Sequence, residues 1–80
     1  MKLPRSLSAQ ELIKALAKYG YQIDRQKGSH VRLTTSENGE HHITIPNHDP
    51  IKIGTLSSIL GEIANHLGKT KEEITDELFG

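Results

Sequence analysis

Eighty residues with no cysteine and a formal net charge of zero are expected to make one small domain, residues 1–80, with neither disulfides nor thiolate metal sites to brace it. A chain this short buries only about 60–65% of the surface its unfolded form exposes, so the core is thin and each apolar side chain counts. No apolar run approaches the ~18 residues of a membrane span and the N-terminus lacks the apolar segment of a secretory signal, so a cytoplasmic protein with no membrane partner is expected.

The zero net charge hides an asymmetry. Residues 1–35 carry Lys2, Arg5, Lys14, Lys18, Arg25, Lys27 and Arg32 against Glu11 and Asp24, whereas residues 36–80 carry three lysines against eight acids. The halves therefore sit at +5 and −5. Such sorting suits a basic surface for phosphates, and it equally suits solvated charges spread unevenly.

After a short arm, Ser8-Ala9-Gln10-Glu11 has the capping-box pattern, with Leu7 and Leu12 spaced as a hydrophobic staple. Leu12, Ile13, Leu16 and Ala17 fall on one stripe, and Gly20 suits the left-handed position after a helix. The pattern predicts a first helix over about 9–19. Two alternating runs follow, Tyr21–Arg25 and His30–Thr35, on either side of Lys27-Gly28-Ser29. A third, Glu40–Pro46, comes after Asn38-Gly39, a strong hairpin signal because both residues tolerate positive φ. Period two sends Val31, Leu33, Ile43 and Ile45 to one face, toward helices. His30, Arg32, Thr34, His42 and Thr44 go to the other, open face.

Residues 46–54 form a loop with two prolines. Apolar residues at 56, 59, 60, 63, 64 and 67 then mark a helix, which the pattern has capped by Thr55 and ended by Gly68. Thr70-Lys71-Glu72-Glu73 is a second capping box, opening a short terminal helix with Ile74, Leu78 and Phe79 inward. The fold class is α+β: an α-β-β-β-α sandwich on a three-stranded antiparallel sheet, with a short extra C-terminal helix. That order is shared with double-stranded-RNA-binding domains, a likeness that by itself carries no function.

Several stretches together resemble the HicA family, the toxin half of HicAB toxin–antitoxin modules. They are Gly20, Arg25-Gln26-Lys27-Gly28-Ser29-His30, Thr44-Ile45-Pro46 with His48, Ile51-Lys52-Ile53-Gly54-Thr55-Leu56 running into Ile59-Leu60, and Thr70-Lys71-Glu72-Glu73-Ile74. Two features depart from the usual member. The helix from Leu56 runs a turn longer, through Asn65-His66-Leu67, and the hairpin loop carries Glu37 and Glu40. The resemblance implies a dsRBD-like fold, an mRNA interferase activity and a cognate HicB-like antitoxin that covers the His30 face, in a hetero-oligomer with the toxin. It also implies that His30, the histidine after Gly-Ser, is the catalytic residue.

The chemistry of the residues is compatible with that role. An unperturbed imidazole titrates near pH 6.5 and so exchanges protons at neutral pH. RNA carries its own nucleophile in the 2′-OH, so cleavage needs proton transfer and phosphate stabilisation and not necessarily a metal; no cofactor and no metal are expected. Arg25, Lys27 and Arg32 are the candidate phosphate-binding cations, and the backbone at Gly28 and Ser29 is able to approach a phosphate closely. Gly28 also reads as a plain turn glycine and Ser29 as a strand cap. His42 shares the His30 face as an accessory candidate, while His41 leaves the opposite face, so the adjacent pair cannot share an ion. Lacking cysteine and an i, i+4 histidine pair, the chain offers no zinc pattern.

Two other readings compete with a ribonuclease toxin. One is a non-catalytic RNA-binding module using the same sheet, which the shortage of aromatics weakens: Tyr19, Tyr21 and Phe79 are the complete set, and none is expected on the polar face for base stacking. The other is an interaction domain whose polar face binds only protein.

Overall fold

The computed structural model describes residues 3–80. Its elements are α1 (Ala9–Leu16), continued by a single 3-10 turn (Ala17–Tyr19), β1 (Gln22–Lys27), β2 (His30–Thr35), β3 (His41–Pro46), α2 (Ile53–Leu67) and α3 (Lys71–Phe79). The strands form one antiparallel sheet in the order β1-β2-β3. This is the α+β order expected from the sequence, with the third helix added at the end. No helix among the described residues is long and apolar enough to cross a membrane.

Local chemistry accounts for most element ends. At α1, Ser8 Oγ accepts from the Glu11 N–H at 3.1 Å and Glu11 Oε1 accepts from the Ser8 N–H at 2.9 Å, so two otherwise free donors are satisfied reciprocally. Thr70 and Glu73 repeat the device at α3, at 3.0 and 2.8 Å. Gly20 at φ 79° and Gly68 at φ 67° occupy the left-handed positions that end the first and second helical segments. The β2–β3 hairpin turns on Asn38 (φ 56°) and Gly39 (φ 96°).

One boundary differs from the sequence reading. Helix α2 does not start at Leu56 behind a Thr55 cap; it starts at Ile53, with Lys52 in the N-cap position and no side-chain cap. The first intrahelical bond, Leu56 N–H to Lys52 C=O at 2.9 Å, already spans Thr55. Tertiary anchoring makes the earlier start possible. Ile51 is buried and donates its N–H to the Leu7 carbonyl at 2.8 Å, which fixes where the chain enters the helix.

The core lies between the sheet's back face and the helices. Val31, Leu33, Ile43 and Ile45 meet Leu12, Leu16, Leu56, Leu60, Ile63 and Ile74, all at 2% exposure or less. Ala17, expected on the α1 stripe, is exposed, because the buried stripe runs through Ala9, Leu12 and Leu16 and Ala17 lies a further ~100° round the helix from Leu16. Glu77 ties α3 to the end of the first helical segment. Its carboxylate accepts from Tyr19 Oη at 2.6 Å and Lys69 Nζ at 2.8 Å, and its carbonyl accepts from Lys18 Nζ at 2.7 Å. The helices cover β2 and β3 but leave β1 exposed along its whole length, so Ile23 stays half exposed although it pairs with the buried Leu33.

Candidate active site

The site candidates lie on the open face of the sheet, and a β-bulge decides which ones. Ile23 pairs with Leu33, yet Arg25 pairs with Arg32, so Asp24 is the extra residue on β1. Directly opposed residues share a face. Without the bulge Arg25 would oppose Val31 and turn toward the helices. With it, Arg25 opposes Arg32 and Lys27 opposes His30. The extra residue thereby brings both β1 cations onto the His30 face.

His30 stands at the first position of β2, flanked by Lys27 on β1 and Pro46 on β3. Cross-strand partners have Cβ atoms about 5 Å apart, which puts Lys27 within side-chain reach of His30. Between Lys27 and His30 the chain turns through two residues, Gly28 and Ser29. Gly28 takes φ 58° and a Cβ there would meet open space. Glycine at the first central position is the requirement of a II′ hairpin turn. His30, Lys27, Arg25, Gly28 and Ser29 are all exposed, and the His30 imidazole makes no hydrogen bond to another described residue.

Arg32 is differently placed. Its guanidinium makes a two-pronged contact with the Asp24 carboxylate, Nε to Oδ1 at 2.9 Å and Nη2 to Oδ2 at 3.1 Å. Thr34 Oγ1 also donates to Asp24 Oδ2. The Arg32 and Thr34 hydrogen bonds together pull the Asp24 carboxyl down to about 2, and the same carboxylate offsets the repulsion between the opposed Arg25 and Arg32. No short pattern in the sequence announces a bulge at Asp24; only its position one residue before Arg25 hints at the pairing.

His42 continues this network rather than joining His30. Its Nδ1 lies 2.7 Å from Thr34 Oγ1 and its Nε2 donates to Glu40 Oε2 at 2.8 Å. His42 pairs with Thr34, four residues along β2 from His30, a separation of about 13 Å at the usual rise per residue. The two histidines share a face, as expected, but they do not meet. His41 leaves the other face: its Nδ1 shares a hydrogen bond with Tyr21 Oη at 2.8 Å and its ring stacks on His66. Burial pushes the Tyr21 hydroxyl up to about 12. Both tyrosines are buried, so no tyrosine stands on the open face.

The loop after β3 is tied to the His30 turn. The Asn47 N–H donates to the Ser29 carbonyl at 2.6 Å and the His48 N–H donates to the Pro46 carbonyl at 2.8 Å. The Ala9 N–H, free at the start of α1, donates to the His48 carbonyl at 3.0 Å. His48 is thus held at the same end of the sheet as His30, with its side chain exposed.

Residues 9–65 match the family model described as the HicA toxin of bacterial toxin–antitoxin. The chain belongs to the HicA toxin family. Membership carries the toxin role in a bacterial toxin–antitoxin system and implies a cognate HicB antitoxin partner. No match to the chain was found among curated proteins or among solved structures. The HicA match takes in the bulge, His30 and His48, and ends one residue before His66. Among the described residues no group of three or more His, Asp or Glu side chains is arranged to hold a metal ion.

Proposed function

We propose that this HicA-family chain acts as one domain, an endoribonuclease that cleaves mRNA and so arrests translation and growth, with His30 transferring protons as general acid or base. The observation that carries the proposal is the hairpin register. It sets an exposed imidazole opposite Lys27, beside Arg25 and Arg32, on a sheet face open to a long ligand.

RNA supplies the attacking 2′-OH, so the protein has to move protons and hold phosphate charge. His30 does the first. Lys27 and Arg25 hold the phosphate, with the backbone N–H groups of the Gly28-Ser29 turn, where no side chain stands at Gly28. Arg32 contributes when a phosphate competes with Asp24 for its guanidinium. The reaction needs no cofactor or added metal and leaves a 2′,3′-cyclic phosphate or its hydrolysis product.

In this reading the toxin works in the cytoplasm, and the HicB-like antitoxin silences it by covering the His30 face in a hetero-oligomer. The non-catalytic RNA-binding alternative is disfavoured because stacking platforms for single-stranded bases are aromatic, and Tyr19 and Tyr21 are buried. Induced expression of the wild type should stop growth and degrade mRNA, in chelator as in its absence. His30→Ala, folded as judged by circular dichroism, should do neither. Growth arrest and mRNA decay undiminished in that variant would refute the assignment.

A further inference from the structure

Cleavage through the 2′-OH moves two protons, one off the nucleophile and one onto the leaving oxygen. His30 alone is a single carrier, and the histidines of this chain can be sorted by what already engages them. His42 is held by Thr34 and Glu40 about 13 Å along the strands from His30. His41 faces away from the open side, against Tyr21 and His66. His66 donates Nε2–H to the carbonyls of Glu37 and Gly39 at the far hairpin. That leaves His48, exposed and with no side-chain hydrogen bond to another described residue.

The backbone brings His48 to the right end of the sheet. Pro46 is the β3 residue directly opposite His30. The His48 N–H closes back on the Pro46 carbonyl at 2.8 Å, a γ-turn centred on Asn47, and Asn47 keeps the negative φ of the relaxed, inverse form. The turn is locked from both sides, by Asn47 N–H to the Ser29 carbonyl at 2.6 Å and by Ala9 N–H to the His48 carbonyl at 3.0 Å. Ser29 is the residue immediately before His30. Two exposed imidazoles are therefore carried at one end of the sheet on backbones bonded to one another.

We infer that His48 is the second proton carrier, paired with His30 across the scissile phosphodiester; this rests on the ribonuclease reading above. One imidazole takes the 2′-OH proton as the O2′–P bond forms. The other, protonated, gives its proton to the 5′ oxygen as the P–O5′ bond breaks. The products are a 2′,3′-cyclic phosphate and a 5′-hydroxyl end, and the pair together neither gains nor loses a proton. The backbone bonds fix the anchor points of both imidazoles, so that only their χ angles have to be ordered when the substrate binds.

The test is single-turnover cleavage of an end-labelled transcript of mixed sequence by the purified chain between pH 5 and 9. Wild type should give a bell-shaped rate profile. His48→Ala and His48→Gln should lose about 10²- to 10⁴-fold in rate, the usual worth of one acid–base group, and should lose one limb of the bell, with RNA affinity held within about threefold. A His48 variant within about threefold of wild type, or one that is slow but keeps both limbs, would overturn the pairing. So would a loss that lies wholly in affinity. Should both variants misfold, a wild-type profile with a single limb overturns it as well. His30→Ala run alongside separates the two ideas: full cleavage there defeats the ribonuclease reading, whereas an inactive His30→Ala beside an active His48→Ala defeats only this one.

Discussion

The imidazoles of His41 and His66 stack with centroids 4.3 Å apart and planes 12° from parallel, joining β3 to the last turn of α2. The same His66 donates Nε2–H to the Glu37 carbonyl at 2.8 Å and the Gly39 carbonyl at 3.0 Å, while Asn38 Nδ2 donates to the His66 carbonyl at 2.8 Å. The last turn of α2 and the β2–β3 hairpin loop are thus one structural unit. The final turn of α2 holds the hairpin.

His66→Ala removes the shared donor and the stack while leaving the helix backbone able to receive Asn38. A net hydrogen bond contributes about 0.5–1.5 kcal/mol, so a loss of about 1–2 kcal/mol is expected, mainly as local opening. Hydrogen exchange should speed up at residues 36–40 far more than in the strands, with Tm falling by about 4–8 °C for each kcal/mol. Unchanged protection of the hairpin amides would show that the loop holds itself.

Stability should fall as the medium is acidified through the histidine range. Burial, then the neighbouring His66 and His42 charges, lower the His41 pKa against an opposing pull from Glu62. The unfolded chain therefore takes up its proton near pH 6.5 while folded His41 remains neutral, so the unfolded state binds more protons and gains relative to the native one. Denaturant midpoints measured from pH 7.5 down to 5 should decline less steeply in His41→Phe, which keeps an aromatic ring in the stack and cannot titrate. Equal slopes for the two proteins would remove His41 as the cause.

Asp24→Asn tests the open face by a gain rather than a loss. The substitution removes the anion that engages Arg32 in two hydrogen bonds and leaves three cations, Arg25, Lys27 and Arg32, facing the path proposed for RNA. Binding to an RNA oligonucleotide should tighten, and the slope of log affinity against log salt should steepen by about 0.7–0.9, the value for one further phosphate contact. An unchanged salt slope would mean that Arg32 does not reach phosphate even when released.

Much of this molecule was readable before folding. Capping boxes at Ser8 and Thr70, glycines at 20 and 68, and the Asn38-Gly39 turn act within a few residues, and each appears where its local chemistry put it. Period two assigned Val31, Leu33, Ile43 and Ile45 to the core and His30 to the open face, because alternation is a property of the strand itself. What depended on contacts far apart in the chain was not readable. The start of α2 rests on Ile51 meeting Leu7, the face of Arg25 and Lys27 on a bulge at Asp24, and the distance of His42 from His30 on strand register. The chain sequence by itself determined which residues form each element and which way each strand faces, since propensity and period are local. Only the tertiary structure decided which charges meet and which loop is tied to the His30 turn, because register and loop docking are set by packing between segments that no short pattern connects.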